Sequence, residues 1–161
     1  MKKQKKIIIG IIVVLLTAIG ILAAGIRRNA PKDGGLVVLA GGKEKSIAWE
    51  KLPAGAFSGE LVNGKGETKH SEFEGCELSE ALKAMNITVS GGETLSVSSE
   101  DNYTAELSGA EVLEPGKVYI ALKKDGKMAE SIEGGQGAQL VVFGDQNSKR
   151  AVKHLKRIEI N

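Results

Sequence analysis

Phe73-Glu74-Gly75-Cys76-Glu77-Leu78-Ser79-Glu80-Ala81-Leu82 is the stretch on which the fold turns. From within it to just beyond, Leu78, Ala81, Leu82 and Met85 fall at i, i+3, i+4 and i+7, which puts four apolar side chains on one face of a helix of about two turns. Such a stripe has to be covered, and the flanking sequence offers a sheet to cover it. Cys76, at the helix entry, has two readings. A helix amino terminus favours a thiolate, whereas a small side chain wedged between helix and sheet is an inert plug. The plug is the expected role, because free cysteine is among the most buried residue types.

Working outward, Leu95 and Val97 alternate with polar residues, and so do Tyr103, Ala105 and Leu107 after the polar turn Ser99 to Asn102. Alternation with period two marks half-buried strands. Val118 to Leu122 is a buried strand candidate closed by Asp125-Gly126, a pair suited to tight hairpin turns. Gln139 to Phe143 is a further strand, and Ile158 and Ile160 alternate with charge in the closing segment Lys156 to Ile160. On the amino-terminal side, Leu36 to Ala40 reads as a strand returned through Ser46 to Trp49 by the turn residues Gly41 to Glu44. Leu52 to Phe73 has four glycines and few apolar residues and is expected to be a long irregular excursion with at most one short strand. The sum is a β-rich α+β domain of seven or eight strands and one clear helix.

Farther out lies a run of twenty uncharged residues, Ile7 to Ile26. At about 1.5 Å per residue it is about 30 Å long as a helix, the thickness of a bilayer's hydrocarbon core. Lys2, Lys3, Lys5 and Lys6 precede it and outnumber Arg27, Arg28 and Lys32 after it, which favours a cytoplasmic amino terminus. The expected organisation is a cytoplasmic tail at 1–6, a transmembrane signal anchor at 7–26, a linker at 27–35 and an extracytoplasmic domain at 36–161. Cleavage after Leu22-Ala23-Ala24-Gly25 is the competing reading.

Charge then narrows the partners. The formal net charge is +2, but residues 34–161 carry fifteen Lys/Arg against nineteen Asp/Glu. An exterior part at about −4 has no general attraction for phosphate backbones, so no nucleic acid is expected as a partner. Six aromatic residues argue against a base-stacking platform. A single cysteine forms no intramolecular disulfide, and His70 and His154 have no ligand spacing for zinc, so no metal site is expected. No Gly-x-Ser-x-Gly elbow is present and no catalytic residue is assigned. The Gly134, Gly135 and Gly137 cluster precedes a strand, the wrong order for a dinucleotide fingerprint. One charged group remains: Ser148, Lys149, Arg150, Lys153, Lys156 and Arg157 stand within ten residues of an acidic domain. They read either as an anion grip or as lysines that protect an edge strand.

From Phe73 onward, the ordered segments resemble the molybdopterin-binding domain of the sulfite oxidase superfamily. Phe73 to Leu82 is similar to its aromatic-x-Gly-x-x-Leu-x-x-x-Leu helix entry, and Ser98-Ser99-Glu100-Asp101-Asn102-Tyr103 to its turn of Ser-x-Asp-Gly-Tyr type. Val118 to Lys127 resembles its strand and Asp-Gly hairpin, Gln139 to Phe143 the next strand, and Ser148 to Ile160 its closing pattern. The resemblance implies that Ser148, Arg150 and Lys153 are cofactor-binding residues that hold a phosphate. It also implies a molybdenum-ligating cysteine upstream of the helix entry, and residues 34–72 contain none. A molybdenum centre without its thiolate loses a ligand that sets its geometry and electronics.

The leading expectation is therefore a membrane-anchored extracytoplasmic binding module with this fold and no catalytic molybdenum. Its partner would be an anionic ligand or an envelope protein, and no cofactor is expected. The alternatives are a molybdopterin-dependent oxidoreductase of the cell envelope and a structural subunit of an envelope complex. Covalent flavin is a further chemistry, since Ser108-Gly109-Ala110 resembles the core of the flavinylation motif. Glu111 stands at its acceptor hydroxyl, however, and Ala105 at its aspartate. The anchor supports binding over catalysis as well. Cofactor-loaded relatives are exported folded by the twin-arginine route, whereas here the Arg27-Arg28 pair follows the apolar run.

Overall fold

Two five-stranded sheets carry nearly every segment predicted above. A computed structural model describes residues 34–146 and 149–161. The anchor at 7–26, the cytoplasmic tail, most of the linker and Ser148 lie outside the described residues. Among the described residues no helix is long and apolar enough to cross a membrane. All of them fall within the compact unit Pro31–Asn161.

The first sheet contains β1 (Gly35–Ala40), β2 (Lys43–Ala48), β5 (Thr94–Ser99), β6 (Thr104–Ser108) and β10 (Leu155–Ile160), in the order β2-β1-β10-β5-β6. Only β1 and β10 run parallel in it. Leu155 and Ile158 are three residues apart and both buried, an arrangement that simple alternation forbids. The register shift between Leu155 and Arg157 lets both face inward.

The second sheet contains β3 (Gly55–Val62), β4 (Thr68–Glu77), β7 (Val118–Lys124), β8 (Lys127–Met128) and β9 (Gln139–Val142). β4 pairs β3 on one side and β7 on the other, and β7's second edge is shared by β8 and β9. Phe73 to Glu77 ends β4 and runs straight into helix α1 (Leu78–Ala84), and the register shifts between Glu74 and Gly75 because Leu122 of β7 is the extra residue opposite them. Phe73 and Cys76, three residues apart, face opposite sides of the sheet by simple alternation. Gly75 is required at the crossing point, since an added Cβ would collide with the Ile120 carbonyl.

Leu78, Ala81 and Leu82 of α1 join Val38, Leu95, Val97, Leu107, Ile120 and Leu140 in one core between the sheets. A smaller cluster of Phe73, Ala121 and Val141, covered by Phe57, Leu61, Tyr119 and Phe143, occupies the other side of the second sheet. Phe57 stacks on Phe73 at 5.1 Å and on Tyr119 at 4.1 Å between ring centroids. Gly59 on β3 lies directly under the Phe143 ring, which follows β9. In a flat sheet three strand spacings separate them by about 14 Å, beyond the reach of a phenylalanine, so this sheet curls around its aromatic side.

Several expectations are corrected. Leu52 to Phe73 is not an irregular excursion: β3 and β4 form a long hairpin across Asn63–Glu67, whose turn Asn63 ties with its side-chain oxygen to the Lys65 and Glu67 amides. Its glycines are tolerated because β4 supplies the ladder and the aromatic cluster the packing. A second short helix, α2 (Gly109–Leu113), follows β6, and the strands number ten among the described residues. Trp49 belongs to a 3-10 turn, Trp49–Lys51, rather than to the returning strand, and Tyr103 lies before β6 and is 48% exposed.

Candidate functional site

At one end of the curled sheet an open cleft of about 540 Å³ is lined by Leu61 from β3, Asn63 from the turn after it, Lys69 and Ser71 from β4, Lys124 from β7 and Gln139 to Val141 from β9. The turn after β5 contributes Ser99, Asp101 and Tyr103, and the segment before β10 contributes Ala151 and Lys153. A smaller depression of about 380 Å³ shares Lys69, Lys124 and Gln139 with it and adds Lys127. The cleft is within the size range of small-molecule sites, and its walls combine an apolar floor with three lysines and one aspartate.

The lysines are presented differently. Lys69 pairs with Asp125 at 3.3 Å. Asp125 heads the β7–β8 hairpin with φ +50°, followed by Gly126 at +77°, the two positive values that a type I′ turn demands. The Glu72 amide donates to Asp125 at 3.0 Å and, with Lys69, holds its carboxyl below the usual range. The Lys124 ammonium sits 5.7 Å from the Phe73 ring centroid, a cation–π contact that leaves its N–H donors free for a ligand. Among the described residues neither Lys124 nor Lys153 has a carboxylate partner. Asp125 acts on Lys124 through space and Asp101 shares the wall, but neither forms an ion pair with these lysines, and two unpaired cations facing one cleft favour an anion there.

Opposite them, the Ser99–Tyr103 turn is closed by its own side chains. Ser99 Oγ donates to Asp101 and accepts from the Tyr103 amide at 3.0 Å, while Asn102 takes the left-handed angle of +66°. Asparagine tolerates that conformation, which is why it can stand where the family pattern has glycine. The Ser99 hydroxyl is the main reason that the Asp101 carboxyl lies below its ordinary value. The Tyr103 hydroxyl donates to the Lys149 carbonyl and so ties this turn to the closing segment.

Of the three residues expected to hold a phosphate, only Lys153 lines the cleft; Ser148 lies outside the described residues. Arg150 is turned into a carboxylate cluster. Its Nε and Nη2 donate to Asp145, and its Nη1 donates at 2.9 Å to each oxygen of Glu111. Asp145 first, and then Glu111, raise the guanidinium's affinity for its proton. Glu111 also closes a capping box with Ser108 at the start of α2, and Lys117 approaches it at 3.9 Å. The residues that resembled a flavinylation core are thus a helix cap. Gly109 is needed there because a Cβ would strike the Ser90 carbonyl.

A molybdenum centre does not fit the donors at the cleft. No cysteine lines it, and among the described residues no group of three or more His, Cys, Asp or Glu could hold a metal. Cys76 is 3% exposed in the core, where burial first, and then Glu80 and Glu77, push its thiol up to about 12. A thiol so placed is the plug expected from the sequence, not a soft ligand. The lysines suit only the anionic part of such a cofactor. His70 is exposed, as an isolated surface histidine should be, and His154 Nδ1 is 2.7 Å from the Glu130 carbonyl.

Sequence reasoning missed Lys69 and Lys124. Lys69 belongs to no motif, Lys124 stands in the strand-and-hairpin segment Val118 to Lys127 without a role of its own, and the two become neighbours only through the β4–β7 pairing. Asp101 and Tyr103 were visible in the turn pattern but had not been assigned to a site.

No known family's sequence pattern matches the chain, and no curated protein matches it. Its fold is similar to that in the crystal structure of the sulfane dehydrogenase SoxCD from Paracoccus pantotrophus, with a TM-score of 0.61 and 16% identity. The match covers 78% of this chain and 37% of that one. At this identity the likeness concerns the fold alone, and it agrees with the β-rich α+β architecture read from the sequence.

Proposed function

We propose that the protein is a membrane-anchored extracytoplasmic binding module that takes an anionic ligand into the cleft and carries no catalytic molybdenum centre. The cleft itself supports this most directly. The Ser99–Tyr103 turn, β9 and the segment carrying Lys153 are separate in the sequence, yet all three resemble parts of one family pattern and all three border the same opening. Lys124 and Lys153 face it without an ion-pair partner among the described residues, and no thiol reaches it. The address rests on the run Ile7 to Ile26 and its flanking lysines.

The test uses the full-length chain, purified in detergent from membranes of its native host. Metal analysis is expected to find no stoichiometric molybdenum, and one molybdenum per chain overturns the reading. Calorimetric titration with inorganic phosphate is expected to show one site, weakened at least tenfold in Lys124→Gln/Lys153→Gln. Equal binding by parent and variant also overturns it. The position of the cleft among family-like segments favours one second reading, an envelope oxidoreductase that holds molybdopterin through another metal donor, and the same metal analysis separates the two.

A further inference from the structure

We propose that Arg150 is an anion site already filled from within, with Asp145 and Glu111 taking the place that a ligand's phosphate would need. Its geometry is that of a bound oxyanion. Asp145 faces the Nε/Nη2 edge, the planar fork that suits carboxylate and phosphate alike, and Glu111 spans Nη1 with both oxygens. Every nitrogen of the guanidinium is occupied by these two side chains.

Glu111 is held independently of the cation. Glu111 is fixed by its capping box, through the Ser108 amide and hydroxyl to Oε2 at 3.3 Å and its own amide to Ser108 Oγ at 3.2 Å. Asp145 is only 14% exposed and Glu111 21%, so neither can swing into water without leaving the other groups unpaired. Local charge points the same way. Arg150 and Lys117 face Asp145, Glu111 and Glu114, one negative charge in excess, so an incoming phosphate is repelled where the cleft would attract it.

The role that follows is positioning. Arg150 ties the chain after β9 to α2, and the Tyr103 hydroxyl ties the adjoining Lys149 carbonyl to the turn after β5. Ala151 and Lys153 follow directly in the cleft wall. The inference does not depend on the cleft's occupant, and its test separates the two.

In the Lys124→Gln/Lys153→Gln background, in which the cleft binds phosphate at least tenfold more weakly, Glu111→Gln/Asp145→Asn is expected to gain one inorganic phosphate per chain by calorimetry. Adding Arg150→Met is expected to abolish the gain. A folded quadruple variant that binds no phosphate overturns the proposal. Asp145→Asn alone, which frees the fork edge, carries the same test if the larger variant does not fold. In the parent protein, the Arg150 Nε–H signal in nitrogen-15 NMR is expected to stay unmoved by phosphate concentrations that saturate the cleft. A shift there overturns the proposal without any mutation. Failure of the cleft reading would show separately, as absence of phosphate binding by the parent.

Discussion

Arg150 and Lys153 stand three residues apart in one basic tail, and the fold gives them opposite fates. Arg150 meets two carboxylates brought from α2 and from the segment after β9, whereas Lys153 opens onto a cleft beside Lys124. The difference teaches that a cluster of cations becomes a site only where the fold withholds ion-pair partners. In one dimension the tail looks uniform. In three, it has a structural half and a binding half.

The sharpest way to break this contrast is to remove the guanidinium. Arg150→Met leaves Glu111 and Asp145 facing one another, both largely buried, with no cation between them. A fully buried pair broken in this way costs 3–5 kcal/mol and an exposed one under 1, so a pair of intermediate exposure should cost about 2 kcal/mol in urea unfolding. A loss no greater than that of a cleft lysine variant would erase the distinction. The expected order is Arg150→Met well above any single lysine change.

How much of this was legible depended on whether the signal was local. α1 could be read from Leu78, Ala81, Leu82 and Met85 because four apolar residues at helical spacing need no partner to be recognised, and β5 and β6 from alternation. The β3–β4 hairpin escaped because its apolar residues, Phe57, Leu61 and Phe73, pack on the aromatic side of a curled sheet while Ser58, Glu60 and Glu72 face out among glycines. That composition imitates a loop. α2 is only five residues long, and its clearest sign, Ser108 with Glu111 three positions later, was weighed as a cofactor motif instead of a capping box. The site was half visible. Lys153 stood in a recognisable pattern, but the carboxylates that disable Arg150 are 5 and 39 positions away, and only the second sheet brings Lys124 near.

A smaller effect should appear in acid. Partial burial pushes the Glu111 carboxyl upward, but hydrogen bonds from Arg150 and the Ser108 amide outweigh it and hold the group below its ordinary value. The native state therefore binds fewer protons at this site than the unfolded chain does. Its contribution to stability is complete above the unfolded carboxylate value of about 4.3 and is lost as pH falls through the lower native value. Urea unfolding of Glu111→Gln is expected to lose less stability than the parent between about pH 4.5 and the acid limit. Parallel profiles would mean that the Arg150 cluster does not bias this proton.

The smallest effect on stability, and the one that most directly isolates the binding half, belongs to Lys153→Gln. An exposed side chain with no carboxylate partner among the described residues contributes little to folding, so unfolding free energy should stay within about 0.5 kcal/mol of the parent. Phosphate affinity should nevertheless fall several-fold, and its dependence on ionic strength should weaken, because one of the two unpaired charges at the cleft is gone. Lys153→Arg should restore most of the affinity through charge alone. If Lys153→Gln instead unfolded the domain as readily as Arg150→Met, the lysine would be a second tether, and the tail would have no binding half to set against its structural one.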